Sequence, residues 1–267
     1  MPRETIGDIE IHWERQGKGD RLLFISGTGG DLRNTPNVFD GPFPKAFDVV
    51  AYDQRGLGRT SKPDQAYTMA DYADDAARLM DHLGWADALV LGASFGGMVA
   101  QELVLRHPAR VRRLVLACTS PGGAGGASFP FHEIDGMDRI ERAKMLIPIS
   151  DTRRDAAWAA ANSEAYDQWV VLGAADPFAD EPGHAMGARR QLEARALHDT
   201  WDRLPQIACP VLIAAGRYDG IALPETQGRL AERIPGARLR FFKGGHMFMP
   251  QDREANPAII GFLKGEA

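Results

Sequence analysis

The sequence predicts an α/β fold, a mostly parallel central sheet covered by helices on both faces. Three observations carry that reading. Short apolar runs rich in β-branched residues alternate with segments of helical period at both ends of the chain. The run between them, about residues 121–205, changes to helical segments broken by Pro and Gly, with no strong strand. The length, 267 residues, suits one large domain carrying such an insertion. Residues 1–120 and 206–267 are thus expected to form the core domain and 121–205 a helical cap.

Composition narrows the function classes. Apolar residues make up 44% and charged residues 25%, ordinary globular values that argue against disorder and membrane spans. The net charge of −5 is spread over both signs, which disfavours a nucleic-acid surface. Cys118 and Cys209 read as small buried hydrophobes, since two thiols make no disulfide framework. The stretch Met1–Gly7 has no apolar core of an export signal, so a cytoplasmic protein is expected. The seven histidines are scattered, with no His-x-x-x-His, and neither a metal nor a cofactor is expected. Oligomeric state has no signature.

In chain order, Ile9–Glu14 alternates apolar and polar as a half-exposed strand, with His12 expected on its solvated side. Arg21–Ile25 is a buried-strand run that stops at Ser26-Gly27-Thr28-Gly29-Gly30, where glycines leave backbone amides free to approach a ligand. Phe47–Tyr52 is the next strand, and the loop after it, Asp53 to Ser61, is expected to be held by Asp53 and Arg55. Tyr67–Leu83 has helical spacing and a Gly84 stop. Val111–Ala117, Pro210–Gly216 and Arg238–Phe242 read as strands, Glu225–Ile234 and Arg253–Leu263 as helices. His107, before Pro108, is read as a helix C-terminal residue.

The most informative stretch is Leu89-Val90-Leu91-Gly92-Ala93-Ser94-Phe95-Gly96-Gly97-Met98, an apolar strand that breaks into Gly-x-Ser-x-Gly and then a helix. The bare pattern arises by chance in roughly one chain in ten of this length, so the strand–turn–helix context carries the weight. Such a turn lifts Ser94 Oγ clear of the sheet and aims the first helical amides, Phe95 among them, at negative charge developing beside it. No Lys follows for a phosphate loop, and no Gly-x-Gly-x-x-Gly is present. In parallel sheets ligands collect beyond the carboxyl ends of strands, and the Gly27–Gly29 turn, Ser94, Asp219 and His246 all occupy such ends.

The order Ser94, Asp219, His246, with Gly92-Ala-Ser94-Phe-Gly96-Gly97, Gly216-Arg-Tyr-Asp219 and Gly244-Gly245-His246, resembles the α/β-hydrolase superfamily over essentially the whole chain. The Asp53-x-Arg55-Gly56-x-Gly58-x-x-Ser61 loop resembles its lid-bearing members. One landmark departs: most of those members carry His-Gly after the third strand, where this chain has Ser26-Gly27. The resemblance implies a serine hydrolase cleaving a small to medium carboxylic ester, thioester or lactone through an acyl-enzyme. Ser94 is the expected nucleophile, His246 its base and Asp219 the group orienting the imidazole. The amides of Thr28 and Phe95 would form the oxyanion hole.

Two other readings stand beside it: a C–C bond hydrolase or cofactor-free perhydrolase (haloperoxidase-like) on the same triad, and a non-catalytic small-ligand receptor on the same fold. Gly27, Trp158 and Trp169 are the candidate substrate contacts. The segment 121–205 also holds Phe129, Phe131, Tyr166, Phe178 and Trp201, which predicts a mainly apolar pocket and a largely uncharged substrate. His132, His184 and His198 fall in the same segment and are expected on solvated faces.

Overall fold

A computed structural model of the chain describes residues 3–266. Met1 and Pro2, the start of the stretch read for an export signal, lie outside them. Eight strands form one sheet: β1 (Arg3–Ile6), β2 (Ile9–Gly17), β3 (Arg21–Ile25), β4 (Asp48–Tyr52), β5 (Ala88–Ala93), β6 (Val111–Ala117), β7 (Val211–Gly216) and β8 (Arg238–Phe242). Their order across the sheet is β1-β2-β4-β3-β5-β6-β7-β8. The β1–β2 and β2–β4 pairs are antiparallel and every later pair is parallel. After β4 the chain crosses back over β3 to lay down β5, so the connections leaving β3 and β5 diverge. A crevice opens at such a switch point, at the carboxyl ends of the two strands.

Among the described residues ten helices accompany the sheet: α1 (Phe43–Ala46), α2 (Met69–His82), α3 (Phe95–Arg106), α4 (Arg139–Ser150), α5 (Ala156–Ala161), α6 (Ser163–Ala174), α7 (His184–Ala196), α8 (Pro224–Arg233), α9 (Phe248–Gln251) and α10 (Ala255–Lys264). Strand side chains alternate between the faces with period two. Leu23, Ile25, Val50, Tyr52 and Val90 pack with Tyr72, Leu79, Val99 and Leu103 of α2 and α3 on one face. Leu22, Val49, Ala51, Leu89 and Leu91 pack with Phe43, Phe248, Ile259 and Phe262 on the other. The predicted helix over 67–83 begins at Met69, where Thr68 and Asp71 form a reciprocal capping box.

His12 is not solvated. It is buried, because the 53–61 loop crosses β2: Thr60 Oγ1 accepts the His12 amide at 2.9 Å, and the ring sits 3.2 Å from Glu14 Oε1. The strand β1, four residues without a clear period, also escaped sequence reading. The loop itself is fastened by buried charge. Arg55 donates from Nε and Nη2 to both Asp75 carboxylate oxygens at 2.8 Å, and from its terminal nitrogens to Asp8 at 3.0 Å. Asp53 accepts the amides of Leu32 (2.7 Å) and Arg59 (2.9 Å). Burial still holds the Asp53 carboxyl above the usual range, against those two amides.

Between β6 and β7 the regular elements among the described residues are helices, joined by one isolated bridge between Gly122 and Asp199. The two ends of this segment are clasped where the Thr200 amide donates to Pro121 O at 2.9 Å. Helices α4 and α6 pack through Ala143, Ile147 and Val170. Helix α7 lies so close to the 53–61 loop that a Cβ on Gly187 would stand 1.9 Å from Gly56 O. No helix of the described residues is long and apolar enough to cross a membrane.

Asp75→Ala is expected to lower unfolding free energy by about 3–5 kcal/mol, because it leaves a buried guanidinium half-paired. Glu254→Ala, which breaks the exposed Arg240–Glu254 pair at 3.0 Å, is expected to cost under about 1 kcal/mol. Urea midpoints of the two variants make the comparison.

Candidate active site

Ser94 sits between the last residue of β5 and the first of α3 with φ 54° and ψ −115°. A side-chain-bearing residue in that region stores on the order of 1–3 kcal/mol of strain. Close packing holds it there. A Cβ on Gly96 would stand 2.0 Å from Ile25 O at the end of β3, and one on Gly92 2.3 Å from Gly96 O. The Ser94 amide donates to Ala117 O of β6 at 2.8 Å, and Thr119 Oγ1 donates to Ser94 O at 2.8 Å. The hydroxyl is left partly exposed at the crevice mouth.

The connections after β7 and β8 return two further side chains to the same point. Ser94 Oγ is 2.9 Å from His246 Nε2. On the far side of the ring, His246 Nδ1 is 2.9 and 3.0 Å from the two carboxylate oxygens of Asp219. Asp219 is buried, and its Oδ1 also accepts the amides of Ile221 (2.8 Å) and Ala222 (2.9 Å), which fix its rotamer. The His246 loop is pinned from three directions. Its own amide donates to Ser150 O at the end of α4 (2.6 Å), Gly245 N donates to Gln251 Oε1 (2.8 Å), and Tyr218 N donates to Gly244 O (2.9 Å). A hydroxyl, an imidazole and a carboxylate in this line can pass a proton from the hydroxyl to the ring and stabilise the resulting cation.

The Ser26–Gly30 turn stands opposite. A Cβ on Gly27 would lie 3.4 Å from Ser94 Cβ, so the turn and the hydroxyl share one small space. Neither the Thr28 nor the Phe95 amide donates to any acceptor among the described residues. Ser26, the departure noted in the sequence, is held by Gln54, whose Nε2 donates to Ser26 O (2.8 Å) and lies 3.2 Å from its Oγ. From the helical segment, Gln191 of α7 accepts the Gly29 amide on Oε1 at 2.8 Å. Sequence reasoning singled out neither glutamine; both are wholly buried amides in stretches that read as ordinary loop and amphipathic helix.

Trp158 and Trp169 both lie against Arg154. The guanidinium carbon lies 3.3 Å from the Trp169 ring centre and 5.8 Å from that of Trp158. A cavity of about 70 Å³ lies elsewhere, between α3, the Ser120 corner and α7, and neither tryptophan borders it. Met98, Phe129, Arg195 and His198 are among its walls. His198, expected on a solvated face, is 6% exposed, because the turn after α7 packs against α3, where Thr200 Oγ1 donates to Gln101 Oε1 at 2.7 Å. Burial pushes the His198 imidazole down to about 4.

A family model described as the alpha/beta hydrolase fold matches residues 20–252. A protein named carbamate hydrolase RutD from Caulobacter sp. (strain K31) is 32% identical over 97% of this chain and 96% of its own length. A poly(3-hydroxyalkanoate) depolymerase from Ectopseudomonas oleovorans is 30% identical over 92% of this chain and 84% of its own. Among solved structures, the enol-lactonase from Burkholderia xenovorans LB400 superposes with a TM-score of 0.77 at 24% identity, covering 99% of each chain.

A pH dependence follows from His198. Its pKa is lowered on folding, from the unperturbed value of about 6.5 to about 4. Between those values the unfolded chain binds a proton that the folded chain refuses. Stability is therefore complete above about pH 6.5 and falls as pH drops toward 4, by roughly 3 kcal/mol from this group. His198→Asn removes that share, so the gap between wild-type and variant urea midpoints should change in the variant's favour from pH 7 to pH 4.5. A constant gap would show that the ring is solvated.

Proposed function

The chain belongs to the α/β-hydrolase family, and from that premise we propose that it is a serine hydrolase acting on a small ester, thioester or lactone. The observation that carries the reading is the continuous line from Ser94 Oγ through His246 to Asp219, at 2.9 Å and then 2.9–3.0 Å, on a serine held at positive φ. Ser94 attacks the substrate carbonyl while His246 Nε2 takes its proton. Asp219 holds Nδ1–H toward itself, so that Nε2 faces the serine as the acceptor. The carbonyl oxygen, now anionic, is received by the amides of Thr28 and Phe95, and one such donor is worth about 3–4 kcal/mol in the barrier. His246 then returns the proton to the leaving group, and water releases the acyl group by the same route in reverse.

The helical segment 121–205 acts in this reading as a cap. It supplies Ser150, which positions the His246 loop, and Gln191, which shapes the Gly27–Gly30 turn. It therefore supports the reacting groups as well as covering them. A receptor that only bound its ligand would have no use for a strained serine aligned with a half-buried imidazole on a buried carboxylate.

Ser94→Ala is expected to abolish labelling by a fluorophosphonate and to lower ester turnover by on the order of 10⁶. Asp219→Asn should fold and still bind, with turnover reduced about 10⁴-fold by the wrong imidazole tautomer. Labelling that survives Ser94→Ala, or near-normal turnover in Asp219→Asn, contradicts the assignment.

A further inference from the structure

Among the described residues, four of the thirteen buried polar side-chain atoms that lack a hydrogen-bond partner belong to three residues that line one small cavity: Arg195 Nε, Ser120 Oγ and both ring nitrogens of His198. The three residues are 7%, 0% and 6% exposed. The Ser120 backbone lies near the imidazole without completing a well-formed bond to it. The cavity is about 70 Å³. One water needs about 10–15 Å³ by the same measure, so the space suits a group of a few non-hydrogen atoms.

Among the described residues no acid pairs with the buried Arg195 cation. Its terminal nitrogens donate to Phe129 O (2.8 Å) and Ser128 Oγ (2.7 Å), and its guanidinium carbon lies 4.4 Å from the Phe131 ring centre. Those partners are neutral. Burial is the only influence on its pKa, drawing it down to about 10, which leaves it charged at neutral pH. No Asp or Glu lines the cavity; its other titratable walls are His132 and His198. An uncompensated buried guanidinium is costly, and its unused Nε–H beside the remaining terminal hydrogens forms an edge that matches a carboxylate.

No triad residue lines the cavity, but backbone bonds link its walls to the triad. Met98 in its wall is one helical turn beyond Ser94, whose carbonyl accepts the Met98 amide at 3.3 Å. Ser120 follows Thr119, which donates to that same carbonyl. Phe129, in the opposite wall, donates its amide to Ile221 O at 2.8 Å, and the Ile221 amide donates to Asp219.

Resting on the serine-hydrolase reading above, we propose that this cavity is a carboxylate subsite and that the substrate is a small ester or lactone bearing a free carboxylate, held by Arg195 with Ser120 and His198 while Ser94 attacks. This replaces the uncharged substrate expected from the aromatic composition of the segment. In sequence, Arg195 looks like its neighbours Arg189 and Arg190, and only burial sets it apart.

The test pairs aryl butyrate with the aryl hemiester of succinate, equal in chain length and differing in the terminal carboxylate. The wild-type enzyme should favour the hemiester by at least about tenfold in kcat/KM, and the ratio should collapse toward one in Arg195→Met. In Arg195→Lys, which keeps the charge and loses the fork, part of the preference should remain. A wild-type ratio at or below one, or a folded Arg195→Met enzyme with the wild-type ratio, overturns the proposal. Should Arg195→Met fail to fold, the wild-type ratio and Arg195→Lys decide it. Binding separates the two claims: methyl hemisuccinate should raise the melting temperature of Ser94→Ala, and methyl butyrate at equal concentration should not. That shift without any ester turnover in the wild type would leave the subsite standing and remove the hydrolase reading. Turnover without the shift or the preference would do the reverse.

Discussion

Ser94 stands proud of the sheet because the backbones around it approach more closely than any side chain allows. The end of β3 touches α3 at Gly96, and α3 touches the end of β5 at Gly92, at separations that a Cβ would bring to 2.0–2.3 Å. That double contact forces the serine into its positive-φ conformation and places the turn after β3 beside its hydroxyl. The strain is a local cost that the sheet on either side offsets, since β3 and β5 are buried on both faces and held in register from Leu22–Leu89 to Ile25–Gly92. Everything else in the site is measured from this point. His246 and Asp219 arrive at it because β7 and β8 extend the same parallel sheet, and parallel strands present their carboxyl ends on one edge.

The segment between β6 and β7 is tied to that edge rather than laid loosely across it. Its backbone accepts the His246 amide at Ser150, Gln191 takes the Gly29 amide, and Phe129 bonds to the residue whose amide orients Asp219. Displacing the segment would therefore disturb the base, the acid and the turn opposite the serine together. The same closeness explains why it encloses a cation without an acid. Arg195 lies on the inner side of α7, where the nearest oxygens belong to the 128–129 backbone and a serine hydroxyl.

The strands and helices of the sheet domain were legible because their cues are local. Val111–Ala117 and Arg238–Phe242 are found with the bounds that apolar runs between Gly, Pro and charged residues predict. The order of Ser94, Asp219 and His246 at three strand ends was equally readable, because each follows a glycine-rich break in an apolar run. Contacts made across the fold were not. His12 alternates like a solvent-facing residue and is buried by a loop some fifty positions away, through the Thr60 hydroxyl. Trp158 and Trp169 look like pocket residues by type, and the contact shown for both is with the Arg154 guanidinium, 5.8 and 3.3 Å from their ring centres. Gln54, Gln191 and Arg195 carry no local signal, since their significance lies in which backbone groups they meet and which of their own atoms remain unpaired.

In the proposed mechanism Ser94 carries the acyl group during turnover. Rapid acid quenching of the enzyme with an activated ester, followed by peptide mass mapping, measures this directly. An acyl adduct on the peptide containing Ser94, formed in a burst of about one equivalent before steady state, is the expected result. Product release without a burst and without an adduct, under conditions where deacylation is slow, would contradict it.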